Sequence, residues 1–119
     1  MGTHKDLDVW KLGLDLVEII YELSNDLPDE ERFGLKSQLR RVAVSIPSNI
    51  AEGAGRNSDK EYVRFCYIAL GSLTEIETQL ILIDRLYPKI DVSPSHRFVE
   101  KYRPGLLNFI KYMKSRIHK

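Results

Sequence analysis

The sequence predicts an all-α fold, an antiparallel up-down bundle of four helices with a kink near Pro47. Three observations predict it. Apolar residues recur at steps of three and four in four separate segments, as one buried helix face requires. Turn-forming stretches, NDLPDEERFG, AGRNSD and YPKIDVSP, separate those segments. No segment shows the strict alternation of a half-buried strand, and no internal repeat or low-complexity tract intervenes. At 119 residues, 43% hydrophobic and 29% charged, the chain suits one domain with its own core. Residues 8–117 are expected to form the bundle and residues 1–7 a flexible N-terminus.

The first helix is expected from about Asp8 to Asn25. At about 100° per residue, Asp8, Lys11, Asp15, Glu18, Glu22 and Asp26 crowd into a narrow polar arc. Trp10, Leu14, Val17 and Tyr21 face one way, and Leu12, Leu16, Ile19 and Leu23 nearly the other. A bundle helix needs an apolar stripe of only about 100°, so this helix has apolar surface to spare. The sequence reading gives Leu12, Leu16, Ile19 and Leu23 to contact with a second subunit. The competing reading has the surplus leucines covering loops of the same chain.

The second helix carries Leu35, Leu39, Val42, Ile46 and Ile50 on one face, a register that runs straight through Pro47. Proline removes a backbone hydrogen bond and crowds the carbonyl four residues back, at about 3 kcal/mol. A kink, or a break with restart at Ser48 or Asn49 capped by Asn49 and Glu52, is therefore expected. The small residues Ala51, Gly53, Ala54 and Gly55 permit close backbone approach and then a helix stop. Ser45, Ser48, Asn49, Glu52 and Arg56 are read either as a shaped polar patch or as parts of a closely packed helix end. GAGR is no phosphate loop, because no strand precedes it and the G-x-x-x-x-G-K pattern is absent.

The third helix has the cleanest seam: Tyr62, Cys66, Ala69, Leu73, Ile76, Leu80, Ile83 and Tyr87. Ser58 and Glu61 mark its start as a capping box. Glu75, beside that seam, is expected to be partly buried and clamped by Arg40, Arg41 or Asn49. The fourth helix carries Phe98, Tyr102, Leu106, Phe109 and Met113, with Ser93 as its cap and Pro94 in its first position.

DVWKLGLDLVEIIYEL, QLRRVAVSIPSNIAEGAGR and EYVRFCYIALGSLTEIETQL resemble the bacterial S23, or 23S rRNA intervening-sequence, family of four-helix bundles. The likeness spans roughly Asp6 to Ile117 and is looser in the fourth helix, where Pro104-Gly105 departs from the pattern. Its most specific pieces are Ser45 to Gly53, with Pro47, Asn49, Glu52 and Gly53, and Gly71-Ser72-Leu73 with Glu75. Distant relatives include the accessory variability proteins of diversity-generating retroelements, barrel-like homopentamers that bind reverse transcriptase and nucleic acid. The resemblance implies a homo-oligomer, a pentamer, with an RNA-linked role and no catalytic residues to carry over.

Net charge is only +1, yet it is unevenly placed. Residues 6–31 hold nine acidic side chains against Lys11 alone, giving −8, whereas residues 97–119 carry +6. The basic fourth helix can contact phosphates, or it can face the acidic first helix within one subunit or across a subunit interface. Arg32, Lys36 and Arg40 follow at steps of four with Arg41 alongside, and Arg56, Lys60 and Arg64 continue past the next turn. With Lys111 and Lys114 these are the candidate nucleic-acid contacts. The aromatic residues fall mostly on apolar faces and are poor stacking platforms.

The Glu-x-x-His pairs of a di-metal bundle are absent, so no metal or cofactor is expected. Cys66 is read as a small core hydrophobe, and a lone cysteine gives no intramolecular disulfide. No apolar run approaches the ~20 residues of a membrane span. The reading is a cytoplasmic, non-catalytic, homo-oligomeric RNA- or ribonucleoprotein-associated scaffold. The alternative is an oligomeric adaptor that docks a protein partner without nucleic acid.

Overall fold

The computed structural model describes His4 and residues 7–117 of the chain. Among these residues are four α-helices and no strand: α1 (Asp8–Ser24), α2 (Leu35–Ala54), α3 (Asp59–Leu86) and α4 (Ser93–Ile117). A 3₁₀ turn, Asp29–Glu31, sits in the connection from α1 to α2. Consecutive helices pack side by side and α4 closes against α1, the up-down arrangement that the short connections dictate. The expected N-terminal segment lies outside the described residues except for His4 and Leu7. The His4 ring meets Trp10 edge-on at 5.1 Å, and Leu7 packs on the core.

The predicted apolar faces are the core. Leu39, Ile46, Leu73, Ile76, Leu80 and Leu106 are fully buried, with Leu16 and Ile20 of α1. Tyr102 is the largest side chain buried in this way, and its hydroxyl donates to the Val9 carbonyl at 2.6 Å, tying α4 to α1. Gly13 makes that junction possible: a Cβ there would stand 3.2 Å from the Tyr102 hydroxyl and 3.5 Å from Pro47 Cβ.

α2 stays helical through Pro47, so the predicted break and restart do not form. The proline ring is buried where α1 crosses, and burying apolar surface offsets the missing hydrogen bond. Asn49 caps nothing; its Nδ2 donates to the Ser45 carbonyl at 2.7 Å, while Glu52 pairs with Arg56. Half of the α3 capping box is present. Ser58 accepts from the Glu61 N–H at 3.0 Å, but the Glu61 carboxylate turns outward to Arg64. At α4, Ser93 lies within the first turn, and Asp91 does the capping by accepting from the Ser93 N–H at 3.0 Å.

Candidate functional site

The motif from Ser45 to Arg56 is chiefly internal packing. The hydroxyls of Ser45 and Ser72 meet at 2.6 Å and join the middles of α2 and α3. Toward the end of α2, a Cβ on Gly53 would stand 2.9 Å from Tyr62 Cδ1, 3.0 Å from Phe65 Cβ and 3.2 Å from the Tyr62 carbonyl. Only glycine admits α3 this closely. Thus the anticipated polar patch is divided: Ser45 and Asn49 are half-buried, Ser48 turns toward α1, and Glu52 and Arg56 are exposed. The expected clamp on Glu75 does not form. Glu75 is exposed, because the register puts Ser72 in the buried position against α2. Gly71 is also exposed, with nothing within 4 Å of an added Cβ.

The candidate cations do not share one face. Arg40 is occupied internally: Nε donates to Ser24 Oγ at 2.7 Å, Nη2 to Asn25 Oδ1 at 2.8 Å, and the guanidinium lies 4.6 Å above the Tyr21 ring. It clamps the end of α1 to α2. Arg32 lies in the α1–α2 connection, stacked on Phe33 at 4.8 Å, and Lys36 in the first turn of α2, so the expected row of Arg32, Lys36 and Arg40 does not lie on one helix. Arg41 lies about 22 Å along α2 from Arg56 by helical rise. Lys111 and Lys114 stand on α4, where Lys114 Nζ donates to the Tyr67 hydroxyl at 3.2 Å.

Arg56 and Arg64 do converge, at the α2–α3 turn, and Lys60 lies one helical turn before Arg64 on α3. The guanidiniums of Arg56 and Arg64 lie 4.9 and 4.8 Å from the centre of the same ring, Phe65. Each is also paired, with Glu52 at 2.7 Å and Glu61 at 2.9 Å respectively. Ion pairs this exposed hold on the order of 0–1 kcal/mol, so a phosphate can displace them. The aromatic partner was missed from sequence because Phe65 falls on the buried side of α3; two cations beside it at helical spacing were the available signal.

The subunit-contact expectation needs correction. Leu16 and Leu23 are buried in the protomer's own core, while Leu12 and Ile19 are half-buried on the side of α1 that meets α4. The opposite set is the exposed one. Leu14 and Tyr21 are each 39% exposed, and Leu14, with Trp10, Val17 and His4, lines a groove of about 300 Å³ against Val44, Pro47, Ser48 and Ala51 of α2. Two faces of equal apolarity cannot be ranked by periodicity; the direction in which α2 and α4 close on α1 decides between them. A second omission is Phe33, 84% exposed in the α1–α2 connection.

Nothing among the perturbed groups resembles a catalytic set. Burial pushes the thiol of Cys66 and the phenol of Tyr62 up to about 12, and raises Tyr102 as well, so all three are neutral near pH 7. Glu31 is held below the usual carboxylate range by hydrogen bonds from the Tyr87 hydroxyl, at 2.5 Å, and the Leu35 N–H, at 3.1 Å. That arrangement ties the α1–α2 connection to the end of α3. Among the described residues, no three His, Cys, Asp or Glu side chains are grouped to hold a metal ion. One apolar feature departs from the sequence reading. By length and composition alone α3 is apolar enough to cross a membrane, because it carries apolar residues on its outer face as well as its core face.

A family model described as 23S rRNA-intervening sequence protein matches residues 5–89, which include α1, α2 and α3. The match stops before α4, the helix in which the likeness is loosest. No curated protein matches the chain.

Proposed function

The chain belongs to the 23S rRNA-intervening sequence protein family, and on that premise we propose that it is a non-catalytic scaffold that assembles from identical copies and holds RNA or a ribonucleoprotein. The family is not a known enzyme family. The supporting observation for RNA is the pair of guanidiniums held on the Phe65 ring, with Lys60 one helical turn before Arg64. Stacking pre-orients both cations, so less freedom is lost when they meet phosphate. An assembly repeats the cluster around its symmetry axis, and a pentamer, on the family resemblance, repeats it five times. The compartment that fits a lone buried thiol is the reducing cytoplasm.

The test is binding of a structured rRNA fragment at low and near-physiological salt, for wild type and for Arg56→Ala, Lys60→Ala, Arg64→Ala combined. Phosphate contacts release counterions, so affinity falls steeply with salt, and losing three cations flattens that dependence. A wild type that binds no RNA at either salt refutes the RNA role. Phe33 supports a second reading, the protein-docking adaptor. It projects from the connection that, with the α3–α4 connection, lines an apolar groove at Leu86, Tyr87, Pro88 and Ile90.

A further inference from the structure

α3 carries a second seam. Beyond the core seam, Tyr67, Gly71, Thr74, Thr78 and Ile81 follow steps of four, three, four and three, the heptad spacing of packed helices, and each is exposed. A solvated bundle helix carries charge on that side. Here residues 65–74 hold none, and from 65 to 83 only Glu75 and Glu77 are charged, the latter paired with Arg103 at 3.2 Å. Less than half of an apolar 18-residue stretch of α3 is buried within the chain. Gly71 answers no packing need within the chain, since an added Cβ would meet nothing within 4 Å. Glycine in an exposed helix interior lowers helix propensity, yet it opens the seam to another backbone.

The groove of Trp10, Leu14, Val17 and Val44 lies on the other side of the bundle, because α1 and α3 do not contact one another. The rims of the two faces are opposite in sign. The polar arc of α1 flanks the groove on one side: Glu18 lies about 40° from Leu14 around the helix, and Lys11, Glu22 and Asp15 follow beyond it with a net negative charge. Lys114 of α4 borders the seam, its Nζ donating to the Tyr67 hydroxyl, and Lys111 lies one helical turn before it on the exposed side of α4. Among the described residues, the ion pairs are Arg56–Glu52, Arg64–Glu61, Arg103–Glu77 and Arg116–Asp59. None involves α1, so the acidic helix is not neutralised by the basic α4 beside it.

We propose that the α3 seam of one copy docks head-to-tail on the α1–α2 groove of the next, acidic rim against basic rim. This rests on the assembly reading above and names its contact. A side of the bundle measures 50 by about 20 Å, enough for the ~800 Å² per partner of a stable interface. One copy offers both halves of the contact, and a heterologous contact of this kind closes into a ring or extends as a chain. A second copy is thus the occupant with matched apolarity and matched charge.

The mass of the full chain is measured by light scattering across a dilution series, with helix content followed by circular dichroism. Gly71→Glu, a change with open space around it, should keep the helix content and shift the protein toward monomer. Asp15→Lys with Glu18→Lys should raise the dissociation constant at least about tenfold, as should Lys111→Glu with Lys114→Glu. All four reversals in one chain should restore association, because the rims match again. A wild-type assembly unchanged by Gly71→Glu and by both reversals overturns this interface while leaving the assembly reading standing. A wild-type monomer overturns the assembly reading itself, and the seam then belongs to a different occupant.

Discussion

Replacing Gly53 and Gly105 separately by alanine makes one chemical change in two environments and should give opposite signs. In an exposed helix interior, alanine is favoured over glycine by about 0.8–1 kcal/mol. At Gly105 a Cβ meets nothing within 4 Å, so nearly all of that gain should appear as added stability. At Gly53 the same gain is opposed by contacts of 2.9 Å to Tyr62 Cδ1, 3.0 Å to Phe65 Cβ and 3.2 Å to the Tyr62 carbonyl. The Tyr62 ring can swing, but Phe65 Cβ and the carbonyl are fixed to the α3 backbone. Relief therefore requires α3 to move away from α2, which stretches the Ser45–Ser72 contact farther up the same interface. Overpacking of this kind costs about 1–3 kcal/mol. The net change at Gly53 should be a loss of up to about 2 kcal/mol, and Tm should fall by up to roughly 10 °C for a domain of this size. The assay is thermal and urea denaturation by circular dichroism at one fixed protein concentration, since assembly makes Tm concentration-dependent. A gain in stability for Gly53→Ala comparable to that for Gly105→Ala would refute the close α2–α3 approach on which the account of this motif depends.

Two further outcomes are expected. The carboxyl of Glu31 is depressed in the folded chain, so the stability it contributes is present above its unfolded value, near 4.5, and is lost as pH falls through the folded one. Glu31→Gln should therefore flatten the acid limb of a plot of denaturation midpoint against pH; an unchanged limb would mean that the Tyr87 contact does not hold the carboxylate. Ser45→Ala or Ser72→Ala alone should cost about 1 kcal/mol by leaving one hydroxyl without its partner, while the double variant should cost less than the two together. Strict additivity in that cycle would show that the two hydroxyls are not coupled.

The helices were legible because burial imposes its period on the sequence. Leu39, Val42, Ile46 and Ile50, or Cys66, Ala69, Leu73 and Ile76, recur at three and four only because one side of each helix meets the core. Cap geometry was less legible. Asp91 caps α4 instead of Ser93, and Glu61 turns to Arg64, because neighbouring polar side chains compete for the same N–H groups at low cost. Of the two expectations at Pro47, the break with restart does not form, since propensity alone does not include a ring buried against α1.

The candidate sites were legible in composition but not in placement. Arg40 was indistinguishable in sequence from a free surface cation until Ser24, Asn25 and Tyr21 closed around it. The second seam of α3 was visible as uncharged residues from Phe65 to Thr74, but it stood out only once the core seam had been assigned to α2 and α4.

The sequence by itself determined how many helices form, where they begin and end within a turn or so, and which side of α2, α3 and α4 is buried. Those properties follow from local backbone preference and the 3.6-residue period. Only the tertiary structure decided which of the two apolar sides of α1 is core, which cations are already occupied, and that, among the described residues, the acidic α1 and the basic α4 lie adjacent without an ion pair between them. These depend on the rotation of one helix against another, and that rotation is set by the joint packing of α1, α2 and α4 around Gly13, Pro47 and Tyr102.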